Sequence, residues 1–215
     1  MLSSYALTTL VTAKMFMGID LTDTSQDTLL EFLINSTTDA IQKECSRIFA
    51  VGSYTFSFFV ERAPSPLPMY PYNQILQAPP LLNCKKDLLL EQYPIATVSV
   101  MVDEQPFTDY KLLAESGMLR NHHGWQGKID GSFTAGYVLP KDEVLPTTDD
   151  PVGVPRTLPY DLEETCCQLL SITYQMRGSE HNEQEDVGPM RNKYITTIPT
   201  WIKEKLEHYY KPVIT

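Results

Sequence analysis

Residues 24–48 read TSQDTLLEFLINSTTDAIQKECSRI, and this stretch sets the helical half of the fold. Leu29, Leu30, Leu33, Ile34, Ala40, Ile41, Cys45 and Ile48 recur at steps of three and four, the period that gathers side chains on one face of an α-helix. Thr24-Ser25-Gln26-Asp27 has the form of a capping box, with an acceptor and a carboxylate placed for the free amides of a helix start. The stretch therefore predicts one helix from Thr24 to Ile48, of about six to seven turns. Toward the N-terminus, Thr8–Gly18 has the same period, with Leu10, Val11, Met15 and Met17 on one face and Gly18 as the stop.

On the other side the period changes. Tyr54–Val60 is aromatic and β-branched and reads as a strand, although it alternates poorly. Leu88–Leu90, Ala96–Val102, Tyr110–Leu113 and Lys128–Thr134 are short strands with turn residues between them, and Val98, Val100 and Val102 alternate as in a half-buried strand. Between these lies Ala63–Pro80, with Pro64, Pro66, Pro68, Pro71, Pro79 and Pro80. So many missing amides fit neither a ladder nor a helix interior, so the segment is expected to be an extended loop presenting Met69, Tyr70 and Tyr72 to a neighbour. Pro140–Pro159 is a second proline-bearing connection, followed by a helix over Tyr160–Met176. Arg177–Pro189 is polar and acidic, and Thr200–Tyr209 forms a last short helix. The expected class is α+β: a small helical bundle packed beside a short antiparallel β-sheet, with long proline-rich loops and a C-terminal arm. The expected division is a domain over residues 1–176, with loops 63–80 and 140–159, and an acidic tether and arm over residues 177–215.

A chain of 215 residues hides roughly 70% of its unfolded surface, enough for a real core. No apolar run approaches the roughly 20 residues that cross a bilayer, and no basic segment followed by an apolar one reads as a secretion signal. Lys plus Arg number 17 and Asp plus Glu 27, for a formal net charge of −10. That balance disfavours binding to DNA through a basic face, yet suits a wall past which DNA slides without sticking.

The sequence offers little chemistry. Cys45, Cys84, Cys166 and Cys167 have no CxxC spacing and no His at ligand distance, so they read as core thiols kept in a reducing compartment. His122-His123 reads as a solvated hairpin tip, and the acids of 142–150 and 180–186 as solvated charge. No motif for nucleophile, phosphate or dinucleotide is present. No catalytic residue, cofactor or metal ligand is expected, and no enzyme.

Several short motifs, in order, resemble the head–tail connector (adaptor) family of long-tailed, lambdoid-type bacteriophages. They are Ala13-Lys14-Met15-Phe16-Met17-Gly18-Ile19-Asp20, then Asp27-Thr28-Leu29-Leu30-Glu31-Phe32-Leu33-Ile34 with Arg47 and Phe49 at the helix end. Leu89-Leu90, Tyr93-Pro94-Ile95 and Val98-Ser99-Val100 follow, then Asp109-Tyr110 and Gly117-Met118-Leu119. Phe133-Thr134-Ala135-Gly136-Tyr137 resembles the family's "Tyr-Thr-Ala-Gly-Tyr", and Leu158-Pro159-Tyr160-Asp161-Leu162 its "Leu-Pro-x-Asp-Leu". Together they span Leu10–Met176. The longer proline-rich loops and the extended tail depart from the family's pattern.

The resemblance implies a structural virion protein at the neck, assembled in the host cytoplasm. Copies would form a ring, of twelve, between the portal protein and the next neck or tail-completion protein, with genomic DNA passing through without tight binding. A stopper, a tail terminator, a cytosolic interaction protein or an unrecognised hydrolase stand as rivals. The C-terminal segment is the expected portal anchor. In a helix starting near Pro199, Ile202, Leu206 and Tyr209 share a face, with Tyr210 close by and Trp201 at its edge.

Overall fold

A computed structural model describes residues 1–60, 86–145, 153–177, 184–187, 190–193 and 198–210. The expected loop over Ala63–Pro80, with Met69, Tyr70 and Tyr72, lies outside these residues, as does Cys84. The fold is α+β, as the two periods predict. It divides into two compact units, one of Met1–Ala50 with Tyr137–Val213 and one of Val51–Gly136. The boundary expected at Met176 does not separate these units, because the sheet is an excursion between helices rather than a neighbour of a terminal arm.

The first unit is helical: α1 (Leu10–Met17), α2 (Asp27–Cys45), α3 (Tyr160–Gln175) and α4 (Thr200–Leu206). Thr9 caps α1 by accepting from the Thr12 amide at 3.1 Å, and Gly18 closes it in the left-handed conformation (φ +70°). Leu10 and Met17 pack inward as expected, but Val11 (55% exposed) and Met15 (67%) face out. Their places are taken by Ala13 and by Lys14, which is buried. Lys14 Nζ donates to the Asp23 carbonyl (2.7 Å) and pairs with the Asp27 carboxylate (2.5 Å).

That contact overturns the capping box. Gln26 occupies the cap position of α2 with no side-chain cap bond, and Asp27 is turned to the lysine. Residues 20–25 form tight turns instead. Asp20 Oδ1 accepts from the Thr22 amide and hydroxyl (2.8 Å each), and Asp23 Oδ1 from the Ser25 amide (2.9 Å). These bonds hold both carboxyls below the usual range. The helix also ends sooner than Ile48, because Ser46 adopts φ +54°. Within it the stripe is as read, with Leu30, Leu33, Ile34, Ile41 and Cys45 buried.

α3 starts at Pro159, whose missing amide is no loss at a helix start, and buries Leu162, Cys166, Leu169 and Leu170. Ile41 and Cys45 of α2 share one core with Phe49, Leu139, Leu162 and Cys166. Glu163 is buried too, and it is satisfied: Arg156 Nη1 donates to it at 2.5 Å and the Thr8 hydroxyl at 3.2 Å. In the expected acidic tether, Gln184–Val187 (β8) and Met190–Lys193 (β9) pair as an antiparallel ribbon.

The second unit holds the sheets. Its strands are β1 (Gly52–Val60), β2 (Asp87–Leu89), β3 (Ile95–Val102), β4 (Gln105–Phe107), β5 (Lys111–Leu113), β6 (Met118–Arg120) and β7 (Gly127–Ala135). They form an antiparallel β1-β7-β3-β4 sheet and a β2-β6-β5 sheet. β4 escapes the sequence reading because it is three residues long and contains Pro106, tolerable only on a sheet edge. β1 alternates cleanly after all: Tyr54, Phe56, Phe58 and Val60 are half-buried, and Ser53, Thr55, Ser57 and Phe59 are exposed. Phe59 on the outer face is what blurs the pattern in the sequence. Trp125, Ile129, Phe133, Leu119 and Leu88 form the centre of this unit's core.

Gly131 sits mid-ladder on β7, opposite both Phe56 and Val100. A β-carbon there would lie 2.3 Å from the Ser99 carbonyl oxygen and 2.5 Å from the Phe56 ring. The sheet closes tightly only because that atom is missing. We expect Gly131→Ala to lower stability by about 1–3 kcal/mol, the usual range for overpacking, read as a drop in the urea midpoint at unchanged slope.

Candidate assembly surfaces

The described residues contain no group of three or more His, Cys, Asp or Glu side chains placed to hold a metal ion. The thiols sit in apolar surroundings. Burial pushes Cys45 and Cys166 up to about 12 and raises Cys167 as well, so all three stay protonated at neutral pH. They are core residues, as read. His122 and His123 are exposed at the turn before β7, also as read. No described helix is long and apolar enough to cross a membrane.

The C-terminal helix comes out differently from the reading. Ile202 and Leu206 are fully buried, in the same cluster as Ile41, Phe49, Leu162 and Cys166. The face expected to be free for the portal is thus spent inside the chain's own first unit. Three apolar residues on one helical face guarantee that the face is covered, but not by what. α2 and α3 present complementary apolar positions nearer than any partner.

Tyr209 and Tyr210 are half-buried against the same core. The Tyr209 ring meets Phe49 edge-on at 6.2 Å, and its hydroxyl donates to Asp161 at 2.7–2.8 Å. The Tyr210 hydroxyl donates to Glu44 at 3.3 Å. Lys203 pairs with Glu44 at 3.0 Å, and Lys205 donates to Gln168 at 3.1 Å. Of the five expected anchor residues only Trp201 stays largely open, 43% exposed, with the Lys205 ammonium 5.8 Å from its ring centre.

Other apolar side chains stand in solvent, and the sequence reading missed them. In the first unit these include Val11, Met15 and Phe16 on α1 and Phe32 on α2. In the second they include Phe59 and Met101, on a sheet face that also carries Ser53, Thr55, Ser57 and the paired Lys128 and Asp130. Phe32 falls one position off the helical stripe, which was the one signal available. For Val11 and Met15 the sequence points the wrong way, since nothing in it tells that Lys14 goes inside.

No protein-family model matches the chain, and no curated protein sequence matches it. Among solved structures, its fold is similar to that of a chain in the neck of an empty gene transfer agent particle computed with C6 symmetry. The TM-score is 0.53 at 12% identity, covering 99% of this chain and 93% of that one. A chain in the virion of the native gene transfer agent particle is similar at TM-score 0.52 and 13% identity, over 100% of this chain and 95% of that one. At such identities the likeness concerns the fold, and it covers nearly all of both chains.

Two outcomes follow from the packing. Leu206→Ala should cost about 2–5 kcal/mol, the range for truncating a buried leucine, seen as a lowered melting temperature by circular dichroism. Iodoacetamide at pH 8 should leave Cys45, Cys166 and Cys167 unmodified in the native chain and label all three in guanidinium, as peptide mass spectrometry reads directly.

Proposed function

We propose that this chain is a structural protein of the neck of a tailed-phage-like particle, a head–tail adaptor whose copies form a ring below the portal. The observation that carries the proposal is the fold, shared over nearly the whole length with chains from a gene transfer agent neck and virion. The ordered motifs from Ala13 to Leu162 support the adaptor role within the neck. Another neck component, a stopper or tail terminator, is the second reading, because the shared fold favours it equally.

On this proposal the protein works by shape rather than by chemistry. A ring requires a heterologous interface that closes, and twelve copies accommodate a sixfold axis. Exposed apolar side chains on the rigid helices, Met15 and Phe32 among them, are suited to such contacts. Met69, Tyr70 and Tyr72 are assigned to the contact with a neighbouring copy. Since Ile202 and Leu206 are occupied, the anchor for the portal protein narrows to Trp201, with Tyr209 and Tyr210 beside it. The charge of −10 keeps the wall of the channel from holding genomic DNA, because few cations are available to displace counterions from phosphate.

Native mass spectrometry of the chain mixed with portal tests this reading. A closed ring on the portal is expected, and Trp201→Ala should weaken its attachment by about tenfold or more without loss of helicity. Scattered single copies, or no complex, would move the assignment elsewhere in the neck. Filter binding at physiological salt should find little affinity for duplex DNA, and tight salt-dependent binding would point to a DNA-binding module instead.

A further inference from the structure

One sheet edge of the second unit is undefended in a way that the others are not. Among the described residues β1 ends the four-stranded sheet, with β7 on one side and no strand on the other. Its ladder with β7 runs unbroken through nine pairs, from Gly52 opposite Ala135 to Val60 opposite Gly127. A strand paired on one side turns every second residue's amide and carbonyl outward, a template for another strand. Short length, proline, a bulge or a charge blunts such an edge, and the other edges have these devices. β4 is three residues long and holds Pro106, and β2 and β5 are three residues long and carry Asp87 and Lys111. β3 shifts register between Ile95 and Thr97. β1 is nine residues long, GSYTFSFFV, with no charge and no proline.

The side chains along this edge specify what it fits. A groove of about 370 Å³ is lined by the five consecutive residues Tyr54–Phe58 with Leu90, Glu91, Gln92 and Phe133. Consecutive residues of a strand point to opposite faces, so a groove touching all five follows the edge. Its rings form a row: Tyr54 lies 5.4 Å and Phe56 6.0 Å from Phe133, and Phe58 lies 5.7 Å from Phe56. Glu91, exposed, is the one charge among the lining residues. On the outer face Phe59 is 75% exposed, and Val51, just before the strand, is 54% exposed. Eight residues of extended chain separate them, roughly 26 Å, so neither can cover the other within one copy. The charges beside Phe59 on that face, Lys128 and Asp130, pair with each other at 2.9 Å.

A second β1 laid antiparallel answers both ends at once. With Thr55 opposite Thr55, each Phe59 stands opposite the other copy's Val51, and each Ser53 opposite Ser57. On the inner face Tyr54 stands opposite Phe56, and Phe58 opposite Gly52, over which the Tyr54 ring is folded. Directly opposed residues share a face, and aromatic and Thr–Thr pairs are among those that stabilise a ladder. The second copy's rings then extend the row along the groove. Neither strand carries a charge to oppose the approach.

We propose that the second unit pairs with a second copy of itself through β1, edge to edge and antiparallel about Thr55, making one continuous sheet across two chains. Such a contact has a twofold axis and closes at two copies, so it is separate from the contact that closes a ring. The inference rests on the second unit alone and does not depend on the adaptor reading.

Sedimentation equilibrium of the full chain, from micromolar to near-millimolar concentration, should show a monomer–dimer equilibrium. Phe59→Lys, at a side chain already in solvent, should weaken the dimer about tenfold or more and leave the circular dichroism spectrum unchanged. Thr55→Cys reads the register, in a Cys84→Ser background with Cys45, Cys166 and Cys167 buried. Opposed α-carbons lie about 4.5–5.5 Å apart, within disulfide reach, so mild oxidation should join two copies at that position. Ser99→Cys in the same background, exposed on β3 of the same sheet face, should not cross-link. A chain that stays monomeric, with no cross-link through Thr55→Cys, overturns the proposal. A dimer indifferent to Phe59→Lys overturns it too, as does Ser99→Cys cross-linking as readily as Thr55→Cys, since either puts the contact away from β1.

Discussion

The architecture hinges on the pairing of Ala50 with Tyr137, where the chain leaves the helical unit and returns to it. The Tyr137 amide donates to the Phe49 carbonyl at 2.7 Å, and Ala50 and Tyr137 form an isolated parallel bridge. Everything from Val51 to Gly136 is an excursion closed by that contact. Closing a long excursion costs only slightly more entropy than closing a short one, so a whole sheet unit can be inserted once its ends are fixed. Buried Arg47 reinforces the closure, its guanidinium 5.0 Å from the Phe49 ring centre and 5.9 Å from that of Tyr137. Phe49 also receives the edge of Tyr209, so the last helix depends on the same residues that close the excursion.

Around that closure the first unit spends its buried polar groups on holding segments in place. Lys14 ties the turn before α2 to α1, and Glu163 gathers the Thr8 hydroxyl and the Arg156 guanidinium onto α3. The Arg156 guanidinium also lies 4.2 Å over the Tyr160 ring. The thiols of the same core are held protonated by burial.

How much of this was legible differs by element. The stripe of α2 was plain, because Leu30, Leu33, Ile34, Ile41 and Cys45 admit one helical face. The strands β3 and β7 were plain in position. The ends of elements were not plain. The supposed cap at Thr24–Asp27 lost to a lysine ten or more residues earlier in the chain, a contact that no local pattern announces. β4 and the β8–β9 ribbon were too short for a period to register. Of the candidate surface, the aromatic and aliphatic character of residues 201–210 was legible, but which of them would remain outside was not. Trp125 follows closely on the exposed turn of His122 and His123, and only the packing of Phe107 and Tyr110 against it shows that it is core.

By itself the sequence determined the class of the fold, the faces of its longer helices, the burial of Cys45, Cys166 and Cys167, and the acidic balance of the chain. Each of these follows from composition or from the spacing of residues close in the chain, so local physics suffices. Only the tertiary structure decided that the sheet is an insertion within the helical unit, that α4 turns its apolar face inward, and that Trp125 is packed into the core of the second unit. Those outcomes depend on pairs such as Phe49 with Tyr137 and Ile41 with Ile202, which are far apart in sequence. An apolar face read from periodicity says that it will be covered; the surface that covers it is chosen by which partners the folded chain brings within reach.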